Sequence, residues 1–134
     1  MERTFSLDKI EETVLEMNPE MEGFSKEGFL TDDIALTDGE SYALFEKDSD
    51  GLYTGHYLFK KRGKEAHDLA VTFLRELFSV AKAVKGIVDK ENRRVSLFTR
   101  RLGFKKYTEI PIKDKIGELF IMTKSEFIAK HGEV

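Results

Sequence analysis

Two short stretches of this 134-residue chain carry side chains that could do chemistry together. The first, Arg62-Gly63-Lys64-Glu65-Ala66-His67-Asp68, lies between an aromatic run with strand character and an apolar pattern with helical period. A basic, glycine-bearing turn from strand to helix is a natural anion site. The first NH groups of a helix lack internal partners and point outward with the positive end of the macrodipole. Only one glycine is present, however, and Glu65 stands where an anion would dock, so the stretch also reads as a plain turn. The second is His56, within Leu52-Tyr53-Thr54-Gly55-His56-Tyr57-Leu58-Phe59. An imidazole, with a reference pKa of about 6.5, suits removal of a proton from an ammonium substrate. It reads equally as a sheet histidine satisfied by a neighbour. Gly55 beside it marks a place where a strand can bulge or part from its neighbour.

The elements that must position these residues follow from periodicity. Arg3 to Phe5 reads as a short strand. Ser6 caps a helix with Leu7, Ile10, Val14 and Met17 at helical spacing, which Asn18-Pro19 stops, and residues 18–32 read as loop. Asp33 to Leu36, Tyr42 to Lys47 and Leu52 to Phe59 form an antiparallel meander, broken by Thr37-Asp38-Gly39 and Asp48-Ser49-Asp50-Gly51. Ala66, Leu69, Ala70, Phe73, Leu74, Leu77 and Ala81 make the broadest apolar stripe in the chain, a helix lying on a sheet. Val84 to Val88 is a strand that should run parallel to the one before the helix. Asn92 to Leu102 reads as a helix with Val95, Phe98 and Leu102 inward and Arg93, Arg94, Arg100 and Arg101 mostly outward, ended by Gly103. Phe104 to Ile112 and Glu118 to Thr123 are further strands, and Ser125 to His131 a terminal helical turn. The expectation is α+β: one domain over residues 1–134, with a mixed β-sheet of six to seven strands and helices on both faces.

Composition narrows the function. With no cysteine, the chain has no disulfide, thiolate metal site or Cys nucleophile, and its three histidines are scattered, so no metal is expected. No apolar run approaches the roughly 20 residues of a membrane span, and Met1-Glu2-Arg3-Thr4-Phe5 is no signal peptide, so the expected location is cytoplasmic. Residues 1–59 hold 4 Lys/Arg against 15 Asp/Glu, whereas residues 60–134 hold 18 against 10. An anionic partner therefore belongs with the second part, unless the segregation only reflects solvated faces. The aromatics Phe24, Phe29, Tyr42, Phe45, Tyr53 and Tyr57 either line a pocket or fill the core. Nucleic acid is not the expected partner, because no binding motif is present and the acidic half would repel a long polyanion.

The order of elements, together with Glu91-Asn92-Arg93-Arg94-Val95-Ser96-Leu97-Phe98-Thr99-Arg100-Arg101-Leu102-Gly103-Phe104, resembles the GNAT superfamily of N-acetyltransferases. Its later helix commonly reads E-N-x-x-A/S-I-x-L-Y-x-K-x-G-F, and Glu91, Asn92, Arg101, Gly103 and Phe104 match. Arg62-Gly63-Lys64 resembles the start of the family's pyrophosphate loop. The resemblance implies two parallel strands splaying into a V that takes acetyl-CoA, followed by direct attack of an amine on the thioester. Carried onto this chain, it implies Leu58, Phe59 and Lys60 as strand-edge partners of pantetheine. Arg62, Gly63, Lys64 and Ala66 would meet the pyrophosphate, Asn92 would bond the pantetheine or cap its helix, and His56 would be the base. The acceptor would be a small-molecule or protein amine.

Two positions depart from the family pattern. Glu65 and His67 stand where the loop usually has glycines. Thr99 stands where a tyrosine acid is frequent, and a threonine hydroxyl is no acid near neutral pH. The chain also resembles small phage-encoded GNAT-like proteins, among them a head assembly protein. That resemblance implies an alternative: a catalytically silent GNAT fold that assembles with phage virion proteins.

Overall fold

The computed structural model describes residues 2–3, 34–38 and 40–134. Their elements are β1 (Glu2–Arg3), β2 (Ile34–Thr37), β3 (Tyr42–Ser49), β4 (Leu52–Leu58), α1 (Gly63–Leu77), β5 (Ala83–Asp89), α2 (Arg93–Leu102), β6 (Lys105–Ile112), β7 (Lys115–Thr123) and α3 (Lys124–His131). The strands form one seven-stranded sheet in the order β1-β2-β3-β4-β5-β7-β6. Every neighbouring pair is antiparallel except β4 and β5, which run parallel across the α1 crossover. The helix expected from Ser6 to Met17, the loop 18–32, and Phe24 and Phe29 lie outside the described residues. Among the described residues no helix is long and apolar enough to cross a membrane.

Period-2 alternation decides which side chains enter the core. Ala43 and Phe45 of β3 point to the side on which α1 delivers Ala70, Phe73, Leu74 and Leu77, and one cluster joins them to Val84, Phe120, Met122 and Phe127. Tyr42 and Leu44, which alternate with them along β3, are buried on the opposite side. Each fully buried Phe or Leu contributes about 1.5–3 kcal/mol. The α1 stripe is thus enough to fix that helix on the sheet. Phe45 and Tyr53 are core residues, so they line no pocket.

Three local expectations need correction. Helix α1 opens at Gly63 and ends at Leu77 with Arg62 as its N-cap, so most of the stretch read as a turn before the helix belongs to its first turns and Ala81 lies beyond its end. In α2, Val95 faces solvent, while Ser96 is buried because it hydrogen-bonds the enclosed carboxylate of Glu118. The terminal turn is a full helix, α3, started by a capping box. Thr123 Oγ1 accepts from the Glu126 NH, and Glu126 Oε1 accepts from the Thr123 NH.

Candidate active site

Strands β4 and β5 share only three rungs, Leu52–Ala83, Tyr53–Val84 and Thr54–Lys85. Beyond them β4 stays with β3 as far as Leu58, and β5 stays with β7 as far as Asp89. The two strands therefore part inside the sheet, leaving the β4 edge from Gly55 and the β5 edge from Gly86 without a ladder partner in each other. Buried backbone NH and C=O groups are almost always paired, so such an edge is a ready partner for an extended polar chain. The first residues past the last rung are both glycines. A Cβ on Gly86 would meet no atom within 4 Å, whereas one on Gly55 would press on Phe45 at 3.1 Å. The parting is not marked by a bulge at Gly55, which pairs regularly with Phe45. The register shift in this hairpin lies between Lys47 and Ser49.

Beyond the open end of this fork, both helices that follow its strands begin. At α1, Arg62 is extended (φ −135°, ψ 166°) and no side chain caps the helix, so its first NH groups keep their outward dipole. Gly63 has φ +61° with nothing near its missing Cβ, so backbone conformation and not space requires glycine there. The approach to α1 is tied down. The Lys60 NH donates to Ser41 Oγ at 2.9 Å, and Lys61 Nζ lies 3.0 Å from Asp38 Oδ2. Asp38 in turn accepts from the NH groups of Ser41 at 2.8 Å and Glu40 at 3.0 Å. Burial works to raise the Asp38 carboxyl pKa, but those two NH groups and Lys61 outweigh it and hold the group at about 2. At α2, Asn92 Oδ1 accepts from the Val95 NH at 3.3 Å, so its side-chain oxygen is a helix cap.

Around the fork, polar groups gather on the sheet face away from the described helices. His56 Nε2 lies 2.8 Å from Glu46 Oε1, both side chains partly exposed. Lys85 Nζ and Thr54 Oγ1 both meet Asp48 Oδ2. A carboxylate accepts only, so the proton on the contacting imidazole nitrogen sits between His56 and Glu46, and in the neutral imidazole Nδ1 is left as the acceptor. On the helix side the fork is walled by aromatic rings. Phe59 stacks on Tyr57 at 5.6 Å and meets Phe98 of α2 at 5.9 Å, and Phe98 in turn faces His67 of α1 at 6.3 Å.

The sequence-predicted residues thus fall into two groups. His56, Leu58, Phe59, Lys60, Arg62, Gly63, Lys64 and Ala66 lie on one continuous path along the β4 wall of the fork and into α1. Two of them differ from expectation in what they can offer. The Lys60 NH is already spent on Ser41, and the Ala66 side chain is buried in the core, so only its backbone faces the helix start. Asn92 stands apart, past the end of β5. Of the basic cluster, Lys61, Arg100, Lys105 and Lys106 are in ion pairs, while Arg62, Lys64, Arg93, Arg94 and Arg101 have none among the described residues. Glu65 is exposed in the first turn and adds to the field on Lys61. Sequence reasoning missed Glu46 and the Asp38–Ser41 anchor. The alternation of β3 could have put Glu46 on the His56 face, but nothing local foretold the anchor.

A concavity of about 750 Å³ lies elsewhere, lined by Lys90, Glu91, Arg93, Ser96, Leu97, Arg100 and Glu118. Its floor is an internally neutralised network. Glu118 Oε2 lies 3.1 Å from Lys106 and 3.7 Å from Arg100, and the hydrogen bond from Ser96, followed by Lys106 and Arg100, lowers its pKa. We read it as a structural network, because its buried charge already has its partners.

No protein-family model matches the sequence, and no curated protein matches it. Solved structures do match by fold. The spermidine/spermine N-acetyltransferase SpeG from Vibrio cholerae, in mutant forms, superposes with TM-score 0.75 at 10% identity over 96% of this chain and 95% of its own. AAC(6')-Ib in complex with ribostamycin and coenzyme A gives 0.62 at 16% identity, over 81% of this chain and 77% of its own. A probable acetyltransferase of the GNAT family from Chromobacterium violaceum gives 0.61 at 16% identity, over 75% and 62%. The forked parallel pair, its crossover helix and these superpositions agree: the chain has the fold of the GNAT acetyltransferases.

Proposed function

We propose that this protein is an N-acyltransferase that moves an acetyl group directly from acetyl-CoA to an amine. The observation that carries the reading is the three-rung parallel pair opening toward an uncapped helix start. An unpaired strand edge suits the amide groups of a pantetheine arm, and the N-terminus of α1 suits a pyrophosphate. The residues present fit such a ligand: Arg62 and Lys64 are exposed without ion pairs among the described residues, and the side of the fork at Gly86 is open. Leu58 and Phe59 offer the β4 edge, with Lys60 supplying its carbonyl and side chain. Arg62, Gly63, Lys64 and the Ala66 NH hold phosphate oxygens, and Asn92 borders the open end from the other side. That SpeG is named for spermidine and spermine, and that AAC(6')-Ib was solved with ribostamycin and coenzyme A, supports an amine acceptor and a CoA donor.

In this reading His56 is the base. With Nε2–H directed to Glu46, its Nδ1 takes the proton that the attacking amine must lose, and Glu46 steadies the imidazolium that results. The negative charge of Glu46 also favours a cationic acceptor, small molecule or protein side chain. The working location is the cytoplasm, where acetyl-CoA is made.

Acetyl-CoA titrated into the purified protein should raise its thermal midpoint, because a ligand bound only to the folded state adds RT ln(1 + [L]/Kd), about 2.7 kcal/mol at a hundredfold excess over Kd. No shift at millimolar ligand would reject the transferase reading. It would leave in front the silent relative in phage head assembly, whose own test is co-purification with capsid intermediates.

A further inference from the structure

Gly86 is a glycine that the fold itself does not require. It sits inside β5, which keeps an unbroken ladder with β7 from Ala83 to Asp89, so no bulge calls for it. Its φ is not positive, and a Cβ there would meet no atom within 4 Å beyond its chain neighbours, so neither backbone conformation nor crowding excludes a larger residue. Glycine inside a strand gives up packing and strand propensity, and with those reasons gone it marks a place where another molecule comes close. The surroundings say what kind of group fills the space. By strand alternation Gly86 shares its face with Val84 and Val88, and its partner across the ladder is Phe120; all three are buried members of the core. Close-packed interiors leave few such gaps. Gly86 is itself half-buried on the edge that β4 has left, so this apolar hollow opens into the fork. The facing strand offers no such room. At Gly55 the missing Cβ has Phe45 at 3.1 Å and the Tyr57 hydroxyl at 3.3 Å, and that hydroxyl is enclosed without a hydrogen-bond partner. The apex is thus open on the β5 side and closed on the β4 side.

We propose that the hollow over Gly86 is an acyl pocket, and that the donors this protein accepts extend past acetyl-CoA to short straight-chain acyl-CoA thioesters, propionyl and butyryl. This rests on the transferase reading above and widens its donor class. With the pyrophosphate at the start of α1, the donor threads the fork from its open end, and the part that reaches the apex is the end farthest from the phosphates, its acyl group. One face of the sheet at the apex carries His56 and Glu46, and the other carries Val84, Val88 and Phe120. The amine comes from the first face, and the alkyl tail lies against the second. Each methylene laid there leaves water for a space that no side chain of the protein fills. The transfer itself is that of an acetyl group. The amine lone pair forms the N–C bond at the thioester carbonyl, and the C–S bond breaks with its electron pair leaving on sulfur. The surplus proton of the amine goes to His56, and the thiolate is protonated by water on release.

The test compares acetyl-CoA, propionyl-CoA and butyryl-CoA on the wild type and on Gly86→Ala, by Kd from calorimetry and by kcat/KM with a primary amine as acceptor. The wild type should bind butyryl-CoA about tenfold more tightly than acetyl-CoA, with propionyl-CoA between them, because each added methylene is buried. Gly86→Ala puts a methyl group into the hollow, where it has room, so the thermal midpoint without ligand should hold or rise. The same methyl should lower the butyryl-to-acetyl ratio, in affinity and in kcat/KM alike, by about tenfold or more, the discrimination that a group of this size gives in an apolar pocket. A wild type that binds butyryl-CoA no better than acetyl-CoA, or a Gly86→Ala variant that loses both donors equally, overturns the pocket and leaves the transferase reading intact. A wild type that binds none of these thioesters overturns both.

Discussion

His56 and Glu46 meet at 2.8 Å across two antiparallel strands, diagonal partners beside the point at which β4 leaves β5. Their Cα neighbours across the ladder are Leu44 for His56 and Thr54 for Glu46, so the pair is made by side chains reaching along one face. The contact gives the imidazole an orientation that no feature of β4 alone could give it.

His56→Ala should lower kcat about 10²-fold without abolishing turnover, since a positioned base contributes roughly 10²–10⁴ and solvent replaces part of it. Glu46→Gln should cost less, about tenfold, because it removes only the support of the imidazolium. Steady-state rates over a pH series check both. Unchanged turnover in His56→Ala would reject the base assignment.

Gly86→Val offers the opposite dissociation. Nothing lies within 4 Å of the missing Cβ, so the fold accepts the larger side chain and gains strand propensity of up to about 1 kcal/mol. The same side chain fills the fork. Acetyl-CoA affinity should fall at least tenfold while the thermal midpoint holds or rises, and unaltered affinity would mean that the ligand does not enter there.

Asp38→Ala should release the approach to α1. The variant loses an acceptor for two NH groups and the partner of Lys61, at a cost of about 2 kcal/mol in denaturant titration. The sign with pH is fixed: the native carboxyl sits at about 2, below its value of about 3.9 in an unfolded chain. Its contribution is therefore complete above about pH 4 and lost as pH falls toward 2. The stability gap between wild type and Asp38→Asn should close over that window, and a gap that persists at pH 2 would refute the mechanism.

Arg62→Ala and Lys64→Ala should each weaken acetyl-CoA binding severalfold with little change in stability, since both side chains are exposed. Affinity of the wild type should drop with added salt, because exposed charges are screened beyond about 10 Å at 0.1 M. A salt-independent Kd would place the phosphates elsewhere.

Much of this was legible in the chain itself. The turns at Asp48 to Gly51, the stripe from Ala66 to Leu77 and the Gly103 stop are local signals, and each element appeared near its expected place because propensity, period and burial agreed. Boundaries fared worse where a single residue decided them. Gly63, at positive φ, lets α1 begin directly after Arg62, and the sequence alone could not distinguish that from a longer loop. Val95 and Ser96 exchanged roles because Glu118, more than twenty residues away, needed a donor.

The sequence by itself determined the described strands and helices and the crossover that makes β4 and β5 parallel. Only the tertiary structure decided that this pair separates after three rungs, that Glu46 holds His56, that Ser41 and Asp38 secure the approach to α1, and that the Tyr57 hydroxyl is left unpaired. Periodicity is a property of neighbours in the chain, and it fixes which face a side chain takes. Where two strands part, and which distant groups then meet, depends on how β3 and β7 hold them from either side, and no local pattern encodes that.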